Sequence, residues 1–313
     1  MTLTWFIEQL IYFQKNIFIQ GWIFDEQQEI QSLGITLNKK YYPLQGQMHL
    51  PSSDVAQAYG QKAQAVRFSG QVHIENADLV LDNLQLSVSL SDNKKIHIDH
   101  FFKHSPVASD PYHKLQHRFF KKLHDLPKKS QVIELGSRAR SGVTRRELMP
   151  KQVQYTGFDI LKGQNVDVTG DAHQLSQYFK PNTYDAIFSM SVFEHLIMPW
   201  KVVLEMNKLL KIGGQVMITT HHTWALHETP WDFWRFSDQA WHALFNEYTG
   251  FEIVETALGE PASIVPHYVH PVVMGLENQP AYLVSAVIAK KTSETQLSWD
   301  VDASKIVQDM YPQ

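Results

Sequence analysis

An α/β fold is what this 313-residue sequence predicts: a mostly parallel sheet covered on both faces, with an antiparallel last strand, preceded by an N-terminal β-sandwich. Three observations carry the prediction. The first hundred residues read as β-branched and aromatic runs separated by Gly, Asn and Asp. After Pro106, strand and helix patterns alternate, which is the signature of a parallel sheet. The last two strand patterns have no helix pattern between them, so the final strand runs antiparallel.

Taken in order, Thr4 to Phe13 reads as an amphipathic helix, because Phe6, Leu10 and Phe13 fall near helical spacing. Core packing accounts for it better than docking on a membrane surface. The sandwich is expected over residues 14–103, from "IFIQGWIFD", "GITLNKKYYPL", "QAVRFSGQVHIE", "ADLVLDNLQLSVSL" and "KKIHIDHFF". It offers no acid–base pair or metal-like cluster. "DPYHKLQHRFFKKLHDLP" then predicts a helix with Leu115, Phe119 and Leu123 on one face.

The α/β domain is expected over residues 104–290. Its first five strands are "QVIEL", "VQYTGFDI", "VDVTGD", "YDAIFSMS" and "QVMITT". "TRREL" and "AHQLSQYF" read as helix starts, and "PWKVVLEMNKLLKIGG" as an amphipathic helix stopped by a Gly pair. "SDQAWHALFNEYTG" reads as a helix from a Ser N-cap to Gly250. "FEIVETAL" and "AYLVSAVIAK" form a hairpin across a long loop bearing Pro261, Pro266, Pro271 and Pro280. Residues 291–313 read as a polar tail without a function.

Composition narrows the chemistry. Hydrophobic residues make up 43% and charged residues 19%, enough to bury a core. The net charge of −4 gives no general attraction to nucleic acid phosphate. The absence of cysteine excludes disulfides, thiol nucleophiles, cysteine zinc sites and cysteine-held iron–sulfur clusters. It fits a reducing compartment, and a cytoplasmic location is the expectation. No stretch reaches the length that spans a bilayer. The sequence does not define an oligomeric state.

Parallel α/β sheets bind ligands at the carboxyl ends of their strands, near the switch in strand order. Glu134 and Gly136 end the first strand here, and Asp159 ends the second, 25 positions after Glu134, where such folds grip ribose hydroxyls. Asp171 follows the third strand, placed to accept a hydrogen bond from an adenine amine. Ser189, Met190 and Ser191 end the fourth and would line the other face of a purine.

The run "VIELGS", "GFDI", "GDAHQL", "YDAIFSMSVFEHL", "LLKIGGQVMITT" resembles the class I S-adenosylmethionine-dependent methyltransferases, with their Rossmann-like seven-stranded sheet, over Val132 to Lys290. The resemblance implies S-adenosyl-L-methionine as cofactor. It implies that Glu134, Gly136 and Ser137 approach the amino acid end, that Asp159 binds the ribose, and that Ile160 lies on the adenine. Asp171 and Ala172 would meet the adenine edge. The departure is Arg138 and Arg140, where the family usually has further glycines. Glycine serves close approach to a pyrophosphate, a demand this cofactor relaxes; Ser141 and Gly142 offer to reopen the turn. The arginines offer a bridge to the cofactor's carboxylate, although surface arginine is common enough to need no role.

The acceptor side is expected in "TTHHTWALHETPWDFWRFSDQAWHALF", after the fifth strand. Methyl transfer requires alignment of the acceptor and removal of its proton. Histidine titrates near neutrality, so His222, His227 and His195 are candidate bases, Asp232 orients a histidine or acts itself, and Arg235 holds an anionic acceptor. Trp224 and the aromatics from Trp231 to Phe236 offer a platform for a ring or sugar face, or packing that anchors a lid. A metal site from His221, His222, His227 and Asp232 is disfavoured, because adjacent strand residues point to opposite faces; no metal is expected.

This stretch also resembles the corresponding segment of bacterial methyltransferases acting on glycans and cell-surface metabolites. The resemblance implies a small-molecule or glycan acceptor, with O-methylation of a sugar hydroxyl preferred. "SMSVF" stands where amino-group nucleic acid methylases carry Asn-Pro-Pro-aromatic, so no nucleic acid partner is expected. Two rival readings stand beside it. One is a non-catalytic methyltransferase-like assembly module, suggested by the altered turn. The other is a dinucleotide-dependent oxidoreductase, suggested by the loop arginines.

Overall fold

A computed structural model describes residues 3–13, 15–74, 83–101, 110–140, 142, 144–267 and 270–306. The chain divides into two compact units, Met1–Ala108 and Ser109–Gln313.

The N-terminal unit holds two four-stranded antiparallel sheets. One has the order β1 (Thr4–Phe13), β2 (Asn16–Phe24), β6 (Arg67–His73), β5 (Gln45–Leu50). The other has the order β4 (Lys40–Pro43), β3 (Ile30–Leu37), β7 (Leu84–Leu90), β8 (Lys95–Asp99). Ile17 and Ile19 of the first sheet and Ile35, Leu86 and Val88 of the second belong to one buried cluster. A short helix, α1 (Ser53–Tyr59), follows β5. "GITLNKKYYPL" is a tight hairpin rather than one strand. Asn38 and Lys39 take φ of 51° and 68° between the paired Leu37 and Lys40, the left-handed pair that a two-residue loop requires.

The predicted N-terminal helix is a strand. Thr4–Phe13 pairs antiparallel with β2 along its length, with a register irregularity between Ile7 and Gln9. Leu3, Trp5, Ile7 and Leu10 pack on the core. The extra residue at the bulge converts a two-residue alternation into a three-residue step, which reads as helical spacing. Residues 75–82, part of an expected strand, lie outside the described residues.

The C-terminal unit begins with α2 (Pro111–Leu123), whose buried face is Tyr112, Leu115, Phe119 and Leu123. Asp110 caps it, its Oδ1 accepting from the Tyr112 N–H at 2.8 Å. Seven strands follow: β9 (Gln131–Leu135), β10 (Gln154–Asp159), β11 (Val168–Thr169), β12 (Tyr184–Met190), β13 (Leu210–His221), β14 (Phe251–Ala262) and β15 (Ala281–Lys291). They are ordered β11-β10-β9-β12-β13-β15-β14. All neighbours are parallel except β15, which is antiparallel to both β13 and β14. The order reverses between β9 and β12, which creates the switch point.

Strand side chains alternate between two cores. Ile133, Leu135, Ile187, Val216 and Ile218 enter one cluster, and Val132, Ala186, Phe188 and Met217 the other. A parallel strand buried on both faces is therefore continuously apolar, as "QVIEL" and "AIF" are.

Helix is sparser than the sequence predicts. α3 (Pro199–Leu209) forms, but it ends before the Gly pair: Leu210 is already extended at ψ 143°, and Gly213 and Gly214 lie inside β13. "TRREL" gives only a 3-10 turn at Arg146–Leu148, stopped by nearby Pro150. Ala172–Gln177 is 3-10 with a kink at Gln174. The helix expected up to Gly250 is the short α4 (Ala240–Leu244). Asn246 ends it, its Oδ1 drawing in the N–H groups of Tyr248 and Thr249 at 3.1 and 3.2 Å. Among the described residues no helix is long and apolar enough to cross a membrane.

Candidate active site

A cavity of about 510 Å³ opens at the carboxyl ends of β9, β10, β12 and β13. At one end stand Gly136, Asp159, Ile160, Asp171, Ala172 and Met190; at the other, Glu194, His195, His221, Trp224, His227 and Trp231. Asp159 and Asp171 thus face one space on the same sheet edge.

Asp159 is nearly buried, and its two oxygens accept from the N–H groups of Arg138 (3.2 Å) and Leu161 (3.0 Å). The Arg138 guanidinium stands 3.7 Å from it. Beside this acid, Ile160 is left 40% exposed. An acceptor-rich carboxylate next to a bare apolar side chain suits a ribose joined to a purine. Asp171 begins the 3-10 turn at Ala172, and its Oδ1 accepts from the N–H (2.9 Å) and Nδ1 (2.7 Å) of His173. Burial would raise this carboxyl, but the His173 contacts outweigh it and hold it below the ordinary carboxylate value.

Three predicted cofactor residues stand behind the wall and do not line the cavity. Glu134 is buried against the Tyr155 hydroxyl and Arg145, and burial pushes its carboxyl above the usual range. Ser137 Oγ donates to the Asn165 carbonyl at 3.1 Å, and Ser189 Oγ to the Leu135 carbonyl at 3.2 Å. These groups fix the strand ends. The reason is geometric: strand side chains alternate in direction, so a motif marks an edge without saying which residues face the ligand.

The arginines of the turn do line the cavity. Arg138 lies along Asp159. Arg140 reaches Glu228 of the loop after β13 at 2.7 Å, and Arg145 pairs with Glu134. Gly136 is in the left-handed region at φ +79°, and a Cβ there would sit 2.1 Å from Val192 Cγ2. Gly142 repeats the left-handed conformation at φ +76°. Ser141 lies outside the described residues.

On the acceptor side the first candidate base is displaced by its neighbour. His222 does not line the cavity, and its Nδ1 donates to the Phe236 carbonyl at 3.0 Å. His221 faces the cavity instead, since successive side chains of β13 alternate. Its ring stacks on Trp224 at 4.6 Å and 8°. Asp232 is also outside the cavity wall: it forms a bidentate pair with Arg235 at 2.6 and 2.8 Å and accepts from the His227 N–H at 3.0 Å. That pair holds its carboxyl far below the ordinary value and occupies Arg235, which leaves Asp232 an orienting group for the His227 segment.

The residue that sequence reasoning missed is Glu194, of "FEHL". It is fully buried, its Oε2 accepts from Thr220 Oγ1 at 2.5 Å, and its Oε1 lies 2.9 Å from His221 Nδ1. The latter pair is out of line, so both atoms remain without a hydrogen-bond partner. Oε1 also stands 3.8 Å from His195 Nε2 and 4.0 Å from His227 Nε2. Burial raises the Glu194 carboxyl, but His221 and Thr220 overcome this and keep it ionised at neutral pH.

The aromatics divide. Trp224 and Trp231 line the cavity. Phe236 is buried on Trp241, and Trp234 Nε1 donates to the Leu196 carbonyl at 2.7 Å. The polar tail also contributes: Ala303 lines the cavity and packs with Ile197, Met198 and Trp231.

The strand order and the switch point are those of a Rossmann-like α/β sheet. Residues 109–256 match the family model of a methyltransferase domain. This region is an S-adenosylmethionine-dependent methyltransferase domain, and S-adenosylmethionine is its cofactor. No curated protein matches the chain. Solved structures that resemble it include the CurJ carbon methyltransferase, at 18% identity and a TM-score of 0.39; the match covers 56% of this chain and 52%, about half, of that one. An S-adenosylmethionine-dependent methyltransferase from Archaeoglobus fulgidus is 17% identical over 62% of this chain and 100% of its own, with a TM-score of 0.42. A Bacillus halodurans protein described as a methyltransferase is 14% identical over 56% and 98%, with a TM-score of 0.41. Scores of this size add nothing to the assignment.

Proposed function

We propose that the protein O-methylates a hydroxyl of a sugar or related small molecule, which it holds at the Glu194–His221–His227 end of the cavity. The observation that carries the reading is the single cavity joining Asp159, Ile160 and Asp171 to that cluster. Asp159 holds the ribose hydroxyls, Ile160 and Met190 enclose the adenine, and Asp171 with Ala172 meets its edge. Arg138 and Arg140 flank the amino acid end. Glu134, Ser137 and Ser189 act indirectly, by fixing the strand ends.

S-adenosylmethionine supplies a methyl group already activated on a positive sulfur. The chain's own tasks are alignment and proton removal. His221 accepts the hydroxyl proton, with the adjacent Glu194 carboxylate stabilising the imidazolium. His195 and His227 address the same oxygen from the other side, and Asp232 positions His227. Trp224 and Trp231 offer aromatic faces for a sugar ring, the feature that favours a glycan-type acceptor.

Calorimetry with S-adenosylhomocysteine tests the cofactor half. Asp159→Ala should weaken binding by about 1–3 kcal/mol, the loss of a buried hydrogen-bonded charge; undiminished affinity would remove Asp159 from the ribose. If the intact chain binds nothing at millimolar ligand, the non-catalytic assembly reading replaces this one. For the acceptor half, His221→Ala should lower kcat by about 10²–10⁴-fold with cofactor affinity unchanged, measured on any hydroxyl compound that gains a methyl mass. A full-rate variant would eliminate His221 as the base.

A further inference from the structure

We propose that Glu194 Oε1, His195 Nε2 and His227 Nε2 form a binding site for a first-row divalent transition cation at the acceptor end of the cavity. The three atoms lie within 4.8 Å of one another, and Oε1 is 3.8 and 4.0 Å from the two ring nitrogens. Two ligands, each about 2.1 Å from a tetrahedral ion, are about 3.4 Å apart. Closing the carboxylate–imidazole gaps onto an ion therefore takes roughly half an ångström.

The remaining atoms of all three side chains are already committed, each in the manner that orients a ligand. His195 Nδ1 donates to the Trp231 carbonyl at 2.5 Å. That fixes the tautomer and turns the Nε2 lone pair toward Glu194. His227 Nδ1 lies 3.3 Å from the Ala225 carbonyl and 3.4 Å from Asp232 Oδ2, the carbonyl-or-carboxylate partner that ligating histidines take. Glu194 spends Oε2 on the Thr220 hydroxyl. What is left is Oε1, on a fully buried residue, which faces His221 Nδ1 at 2.9 Å as well as the two Nε2 atoms. A buried carboxylate oxygen that meets only imidazole nitrogens gains from a cation held among them.

Two imidazoles and one carboxylate are a borderline donor set that suits zinc, cobalt, manganese or iron better than calcium or magnesium. His195, His227 and Glu194 all line the cavity, so further coordination positions face the space where an acceptor enters. This set differs from the one the sequence argued against. His222 points away, and Asp232 is consumed by Arg235. A cation here would hold the acceptor's hydroxyl oxygen and ease its ionisation; in that use the inference rests on the proposed function, while the binding site itself does not.

The test uses the full chain without an affinity tag, because it already carries 16 histidines. After dialysis against EDTA it is equilibrated with Co²⁺ or Zn²⁺, then assayed for metal content and for cobalt absorption. One bound equivalent is expected. His227→Ala, in a loop, and Glu194→Gln should bind about 10–100-fold more weakly, with circular dichroism reporting that each is folded; His222→Ala should bind as the parent does. Absence of stoichiometric cobalt, or affinity unchanged in His227→Ala, overturns the site. S-adenosylhomocysteine is titrated into the same preparations. Cofactor binding without cobalt sinks the cation site alone, and cobalt binding without cofactor sinks the functional reading alone.

Discussion

Gly136 carries two constraints at once, a φ of +79° and a Val192 methyl where a Cβ would stand. Gly136→Ala should therefore cost more than the ~1–2 kcal/mol of a left-handed L-residue, read as lost urea stability, and should displace the loop that ends β12. Asp171 offers a pH readout. Its carboxyl titrates lower when folded than when unfolded, so its stabilisation is complete above about pH 4 and is lost as the pH falls through the folded value. Asp171→Asn should consequently lose less stability than the parent as the pH falls below about 4, followed by thermal melts. At this scale the sequence was informative about position and silent about direction. Asp159, Ile160 and Met190 could be read from strand ends. His222 and His221 are indistinguishable until the pleat of β13 assigns one of them to the cavity. Glu194 was invisible for another reason: its partners Thr220, His221 and His227 are at least 26 positions away, and an acid inside "FEHL" gives no sign of that convergence.

Among the elements, strands were more legible than helices. Both faces of the C-terminal sheet are buried, so β9, β12 and β13 are written as apolar runs that tolerate little else. The 3-10 segments at Arg146–Leu148 and Ala172–Gln177 share helix-like composition with true helices and differ only in the proline or kink that cuts them short. β1 failed for one inserted residue, which altered its period. One polar contact joins elements distant in sequence. Asp110 caps α2 through Oδ1 while its Oδ2 accepts from the Glu260 N–H of β14 at 2.7 Å. Asp110→Ala should accordingly cost about 1–3 kcal/mol, a lost cap plus a buried N–H left unpaired, measurable by denaturant unfolding.

On the scale of the whole molecule, the sheet order puts acids from β10 and the segment after β11 into one cavity with groups from β12 and β13. The hairpin β14–β15 completes the sheet beyond it. The sequence anticipated this arrangement through motif order. It could not anticipate that residues after β15 return to the cavity, because their polar composition carries no periodic signal. Lys201 Nζ donates to the Val301 carbonyl at 2.5 Å, and Trp299 Nε1 to Met198 Sδ at 3.1 Å, so the returning segment is fastened at the start of α3. A chain ended at Gln296 should bind S-adenosylhomocysteine about 4-fold or more weakly, because covering one methyl-sized group contributes ~0.8 kcal/mol.

The seat of Ala303 also couples occupancy to the fate of the carboxyl-terminal end. Whatever fills the space beneath that residue raises the work of peeling it off, so proteases should clip the last segment slowly in loaded enzyme and quickly in stripped enzyme. Cleavage rate there becomes a gauge of saturation that needs no knowledge of the acceptor.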